Sequence, residues 1–234
     1  MGYITELHCH SGEVSNCASA TAQEIIDAYC AAGYTSLVLT NHFSRYTFAG
    51  TRGKFTGDPE NHDERVDFFM SGYQKMKALA GDRLNILFGL ELRSNRDGND
   101  YLIYGVDEDF LRDRPNIMDT SMAALHEDIN AAGGLLFKAH PFRNSEKICP
   151  PETLDGIEVF NGNVHDSRND IALLWAKRYG LLMSSGSDFH SSGNNISGGI
   201  ITDIPITNEK QLVNILKAQN LDLLHAGEYP KEKI

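Results

Sequence analysis

Residues 3–42 read YITELHCHSGEVSNCASATAQEIIDAYCAAGYTSLVLTNH and hold a strand, a helix and a second strand in succession. Tyr3–His8 reads as the first strand. Thr21 with Glu24 forms a capping box that opens a helix to about Ala32, and Gly33 closes it. Ser36–Thr40 is a short apolar run suited to a buried strand. The chemistry-bearing side chains come at the strand ends, with His8 and His10 after the first and His42 just past the second.

The same alternation continues along the chain. Residues 43–63 are rich in Gly, Thr, Arg and Asn and read as a long loop. A helix from about Glu64 to Ala80 follows, then strands at Asn85–Glu91 and Tyr101–Val106. Ser121–Ala132 is a helix ended by Gly133 and Gly134. Leu135–Lys138, Gly156–Phe160 and Leu181–Ser184 are apolar strands, with a helix from about Ser167 to Tyr179 between the last two. The tail adds a strand at Gly199–Thr202, a helix from about Glu209 and a short strand near Leu223. Repeated β-then-α units predict an α/β fold with a mainly parallel sheet and helices outside it. Seven or eight such strands suit a closed or nearly closed barrel, and no linker divides residues 1–234 into two domains.

The composition fits a globular protein, with 41% hydrophobic and 23% charged residues in 234. No apolar run approaches the roughly 18 residues that span a bilayer, so no membrane partner is expected. The opening MGYITELHCH lacks the basic-then-apolar layout of a signal peptide, which makes a cytoplasmic location the expectation. A net charge of −11 argues against a nucleic-acid polymer as partner. It permits a small anionic substrate when cations sit in the site, because about three divalent ions offset roughly six negative charges locally. Cys9, Cys17, Cys30 and Cys149 show no C-x-x-C spacing and read as reduced thiols. Cys9 stands between two candidate ligand histidines, but strand alternation turns its side chain to the opposite face.

Glu91 ends one strand, His140 follows another, and Asp188 and His190 follow a third. In β/α barrels the C-terminal strand ends converge on one face, where active sites are built. A lone histidine at a strand end is ordinarily a packed residue. The His-x-His pair is more telling, because alternate strand residues share a face and can grip one ion. Asp188 and His190 repeat that spacing from another segment. Seven such groups exceed the three or four ligands of a single ion, so a multinuclear centre is the economical reading, with Glu91 as its bridging carboxylate. Two metals about 4 Å apart suit phosphate-ester hydrolysis, since they bind substrate oxygens and acidify a bridging water, whose hydroxide is then the nucleophile.

Taken in order, these motifs resemble the PHP (polymerase and histidinol phosphatase) family of metal-dependent phosphoesterases. Glu-Leu-His-Cys-His at 6–10 looks like its first motif, usually D-L-H-x-H. Leu-Thr-Asn-His at 39–42, Gly-Leu-Glu at 89–91, Ala-His-Pro at 139–141 and Gly-Ser-Asp-Phe-His at 186–190 look like the later ones. The resemblance implies a distorted (β/α)7 barrel and usually three metals. His8, His10, Glu91 and Asp188 would hold the first, Glu91 and His140 would share the second, and His42 and His190 would help hold the third. Two family ligands have no obvious counterpart. For one, an Asp or His soon after the first motif, Glu13 is the nearest carboxylate. For the other, a histidine in the strand after the glutamate motif, Asp100 stands in place, as a ligand or as a plain loop residue. Glu6, where the family has Asp, is expected to orient a ligand from behind.

Arg143 is either a phosphate clamp or a surface arginine, since a guanidinium matches phosphate geometry. Arg93 has a similar claim, and Arg45, Arg52 and Lys54 belong either to substrate recognition or to a solvated lid. His62, His126, His165 and His225 match no ligand motif, although His165 lies close enough to a strand end to serve as a general acid. The function expected is hydrolysis of a small phosphomonoester or small phosphodiester at two or three divalent ions, which mixed imidazole and carboxylate ligation would draw from zinc, manganese or iron. The alternative is a non-catalytic barrel that binds a ligand or a partner protein.

Overall fold

A computed structural model describes residues 2–49, 53–144 and 146–225. Among them the chain forms ten strands and seven helices. In order these are β1 (Tyr3–Cys9), α1 (Ala22–Ala31), β2 (Ser36–Leu39), β3 (His42–Phe43), α2 (Arg45–Ala49), α3 (His62–Ala80), β4 (Asn85–Arg93), β5 (Asp100–Tyr104), α4 (Glu108–Arg112), α5 (Met122–Ala131), β6 (Leu135–Lys138), β7 (Gly156–Asn161), α6 (Asp166–Tyr179), β8 (Leu182–Gly186), β9 (Gly199–Thr202), α7 (Glu209–Ala218) and β10 (Asp222–Leu224).

The strands form one sheet in the order β10-β9-β1-β2-β4-β5-β6-β7-β8, with the short β3 paired to β4. The β8 end of that path comes round to β1: a bridge joins Cys9, the last residue of β1, to Phe189, just past β8, and the sheet is thereby nearly closed. The barrel wall is β1, β2, β4, β5, β6, β7 and β8, as expected of a distorted (β/α)7 barrel, while β9 and β10 extend it antiparallel beside β1.

The sheet is mixed, its parallel pairs interrupted at β5. β5 runs antiparallel to both β4 and β6. The residues between Arg93 and Asp100 are too few for the dozen or more that a parallel crossover needs, so the chain turns straight back. Two reversals restore β6 to the direction of β4, and β6, β7 and β8 pair in parallel. The expected structureless stretch at 43–63 is also partly ordered. Phe43 and Phe48 are buried with ring centroids 4.9 Å apart, and burying them draws this segment into the α2 turn.

The capping box at Thr21 and Glu24 forms as expected, with both reciprocal bonds present. Along β1, alternation sorts the side chains: Leu7 and Cys9 enter separate apolar clusters, which leaves Glu6, His8 and His10 on the other face. Three apolar clusters, each pairing strands with helices, hold the wall in place. Among the described residues no helix is long and apolar enough to cross a membrane.

Candidate metal centre

The site lies at one rim of the barrel. His8 and His10 leave the end of β1, and β3 sets His42 in register beside Glu91 of β4. Because β5 is reversed, its first residue, Asp100, arrives at the same rim as the last residue of β4, Arg93. His140 follows β6, and Asp188 and His190 follow β8. The antiparallel turn thus brings a strand start to a rim otherwise made of strand ends.

Glu91 is the hub. Its Oε2 lies 3.4 Å from His8 Nε2, 3.2 Å from His10 Nε2 and 3.0 Å from His42 Nδ1, and its Oε1 lies 2.9 Å from His140 Nε2. Asp188 Oδ1 stands 3.3 Å from both His8 Nε2 and His10 Nε2. Ligand atoms within 4.8 Å of one another fall into overlapping sets: His8, His10 and Glu91; His8, His140 and Asp188; His10, His42 and His190; His42, Glu91 and Asp100; Asp100, His140 and Glu146. Seven of the nine sequence-predicted metal ligands are central to this cluster (His8, His10, His42, Glu91, His140, Asp188 and His190), and Asp100 joins two of its sets.

The donor atoms are buried without being satisfied. His8 Nε2, His10 Nε2, Glu91 Oε2, His140 Nδ1 and Asp188 Oδ2 all lack a hydrogen-bond partner. Leaving such groups unpaired costs about 1–3 kcal/mol each, more when charged, and the convergence of the His8, His10, Glu91 and Asp188 atoms on one spot calls for a cationic occupant. The Glu158 carboxylate accepts from His8 Nδ1 at 2.8 Å, which orients the ring so that Nε2 is the nitrogen facing Glu91 and Asp188. Imidazole nitrogens and carboxylate oxygens, buried and facing one another, suit divalent metal ions.

The electrostatics show the same demand for positive charge. Burial alone lowers the His8 pKa, but Glu158, Asp188 and Glu91 overturn that and raise it well above the ordinary value. His42 is likewise raised against burial, chiefly by Glu91. His10 goes down, from burial and from the neighbouring His190 and His42 rings. Burial would raise Glu91 and Asp188, yet the surrounding histidines hold both well below the usual carboxylate range.

A supporting layer positions these groups. Glu158 also accepts from the His140 backbone N–H at 2.7 Å and from Asn161 Nδ2 at 2.9 Å. Glu6 behaves as expected of a residue behind the ligands. Its Oε1 accepts from the N–H groups of Leu7, His8 and Ser187, each at 2.9 Å, and its Oε2 accepts from the Tyr29 hydroxyl at 2.8 Å. It thereby ties the β1 histidines to the loop that carries Asp188. Gly186 is needed for close approach, because a Cβ there would stand 2.4 Å from His8 Cβ and 2.7 Å from Glu158 Oε1. His140 and Asp188 have φ of 27° and 52°, backbone conformations that few non-glycine residues adopt.

Arg143 reaches the centre, with its guanidinium nitrogens 3.7 Å from Asp188 Oδ2 and 3.9 Å from Asp100 Oδ2. Arg93 pairs with Asp100 at 2.8 Å. Glu13 does not join the cluster: its carboxylate accepts from the Ala22 N–H at the start of α1 and pairs with Lys75 at 3.0 Å, so it serves that helix instead. Lys54 turns inward onto the Ser15 and Ala18 carbonyls, Arg45 lies on α2, and Arg52 lies outside the described residues. His165 is exposed and caps α6, His126 pairs with Asp155, and His62 bonds the Leu111 carbonyl. The His225 ring lies tilted against Phe160, centroids 5.8 Å apart. Cys9 is buried in the core, as alternation required.

Three residues escaped the sequence reading. Glu158 sits in the apolar run of β7 and carries a charge that such a strand does not need, which was its only signal. Glu146 follows Arg143 in a loop and faces Asp100 and His140 while pairing with Lys138. Cys17, in the loop after β1, stands beside His42 and His190. Desolvation opposes its ionisation, but those imidazoles bring the thiol down to about 5.

No protein-family model and no curated protein matches the sequence. Solved structures do share the fold. A two-domain protein from Bacteroides vulgatus, containing a predicted PHP-like metal-dependent phosphoesterase, superposes with a TM-score of 0.65 at 16% identity, covering 96% of this chain and 65% of that one. This chain therefore spans just under two thirds of that protein. An amidohydrolase from Chromobacterium violaceum with bound sulfate and no metal gives 0.60 at 19% identity, covering 96% and 98%. The lesion-specific endonuclease EndoQ from Pyrococcus furiosus gives 0.60 at 13% identity, covering 95% and 58%. The chain shares its barrel fold with all three.

Proposed function

We propose that this chain is a metal-dependent phosphoesterase acting on a small phosphomonoester. The observation that carries the reading is the set of buried, unpartnered nitrogens and oxygens on His8, His10, Glu91 and Asp188, converging where the Arg143 guanidinium also arrives. His8, His10, Glu91 and Asp188 would hold one ion, Glu91 and His140 with Asp100 a second, and His42 and His190 a third. Bound there, divalent ions supply Lewis acidity and an acidified water.

The chain's own groups divide the remaining work. Arg143 pairs with phosphate oxygens, since its fork matches two of them and it is partly exposed at the mouth of the site. Glu158 and Glu6 fix the histidines, so the donors meet the substrate without reorganising. The net charge of −11 favours a compact substrate over a nucleic-acid strand, although the Pyrococcus relative of this fold is an endonuclease.

The test is a screen of phosphorylated metabolites and short oligonucleotides against protein reconstituted with zinc, manganese or iron. Phosphate release from a small monoester, lost in Asp188→Asn, is expected. Metal-loaded protein that hydrolyses no monoester would overturn the proposal. Cleavage of oligonucleotides alone would move the reading to the nuclease.

A further inference from the structure

His140 presents its two ring nitrogens to different neighbours. Nε2 meets Glu91 Oε1 at 2.9 Å, on the side of the metal centre, while Nδ1 faces Glu146 Oε1 at 3.7 Å. His140 is 2% exposed, and its Nδ1 has no hydrogen-bond partner. An imidazole that gives Nε2 to an ion keeps its proton on Nδ1, and a buried N–H there needs an acceptor. The carboxylate facing it is Glu146.

The loop that carries Glu146 is held at several points. The His140 carbonyl accepts from the Arg143 N–H at 3.2 Å, and the Arg143 carbonyl accepts from the Glu146 N–H at 3.0 Å. Asn99, next to Asp100, clasps the following residue: its Oδ1 accepts from the Lys147 N–H at 2.8 Å, and its Nδ2 donates to the Lys147 carbonyl at 2.9 Å. Lys138, buried at the end of β6, fixes the carboxylate itself. Its ammonium pairs with Glu146 Oε2 and donates to the Ala139 and Asp100 carbonyls at 2.9 and 3.1 Å. That leaves Oε1 for His140.

Asp100, His140 and Glu146 also stand close enough together to hold an ion of their own. The Lys138 charge decides against it. The ammonium already neutralises Glu146, and a divalent ion on the same carboxylate would sit beside like charge in a buried place.

We propose that Glu146 is a positioning residue of the metal centre, its Oε1 accepting from the His140 Nδ1–H so that Nε2 is held towards the ion, with Lys138 fixing Oε2. This rests on the multinuclear reading given above. At 3.7 Å the pair is not bonded; the bond forms when Nε2 is engaged and the ring proton rests on Nδ1.

Zinc binding to the chelator-stripped full chain tests this, by competition against a chelator and by histidine-15N spectra of the zinc-loaded protein. Removing Glu146 alone would strand the buried Lys138, so two double variants are compared. Lys138→Met with Glu146→Gln keeps an oxygen acceptor and should hold zinc nearly as tightly as wild type. Lys138→Met with Glu146→Leu removes the acceptor; one equivalent should loosen by roughly 10–100-fold, with the same count at saturation. The zinc-loaded wild type should show a His140 Nδ1–H resonance protected from exchange, and this spectrum decides even where neither double variant folds. Equal zinc affinity in the two double variants, or a His140 Nδ1 without a protected proton, would overturn the assignment and leave the metal centre standing. A zinc equivalent missing at saturation with Glu146→Leu would also overturn it, by making Glu146 a ligand. A wild-type chain that binds no zinc, manganese or iron would overturn both this and the metal centre.

Discussion

Two layers of carboxylates stand one behind the other at the rim of the barrel, and they are satisfied in opposite ways. Behind, Glu6 and Glu158 have all four oxygens occupied by donors from the protein itself. In front, Glu91 Oε2 and Asp188 Oδ2 have no hydrogen-bond donor, although they are as deeply buried. The back layer completes its bonding within the fold, whereas the front layer needs positive charge from outside it. A single deletion in either layer should therefore fail in a different way.

The largest effect is expected in front. Asp188→Ala should lower phosphoester turnover by about a thousandfold or more, equivalent to the several kcal/mol that metal-assisted charge stabilisation supplies. Its circular dichroism should stay native, and steady-state kinetics beside that spectrum check both halves.

Behind, Glu6→Ala strands three backbone N–H groups and the Tyr29 hydroxyl. Unfolding free energy in urea should fall by about 3 kcal/mol or more. Glu6 also sets a pH dependence in chelator-treated protein. Burial pushes its carboxyl from 4.5 up to about 7, against the bonds from Ser187, His8 and Tyr29. Its folded pKa is thus raised, so the stability it contributes is full below pH 4.5 and lost as pH rises through about 7. The difference between wild type and Glu6→Gln, followed by urea titration across that range, should fall with rising pH; a flat difference would contradict this.

Glu158→Gln should fold, yet weaken metal affinity by roughly 10–100-fold, because the carboxylate that orients His8 and the His140 backbone is lost. Competition against a chelator measures it. Smallest of all is Glu13→Ala. It should cost about 1 kcal/mol through the lost Ala22 bond and leave the metal content unchanged, since Glu13 belongs to neither layer.

The sequence shows the front layer far better than the back. His8, His10, His42, Glu91, His140, Asp188 and His190 are legible because they lie at or just past strand ends that converge on one rim, and strand ends follow from apolar runs. Glu6 was legible by its place in the first motif. Glu158 was not, because a buried charge inside β7 has no local pattern; its partners come from β1 and from the loop after β6. Glu13 turns to Ala22 and Lys75 for a related reason: closeness in sequence to His10 does not fix where a loop turns. The reversal at β5 was hidden because strand direction depends on connection geometry, not on the composition of the strand.

The most direct test of the central claim is the metal content per chain, by elemental analysis of protein purified without chelator or metal-binding tag. Two or three equivalents of zinc, manganese or iron are predicted, falling in Asp188→Ala. A chain that stays near zero after reconstitution with each metal would contradict the account and leave a barrel that binds without catalysing.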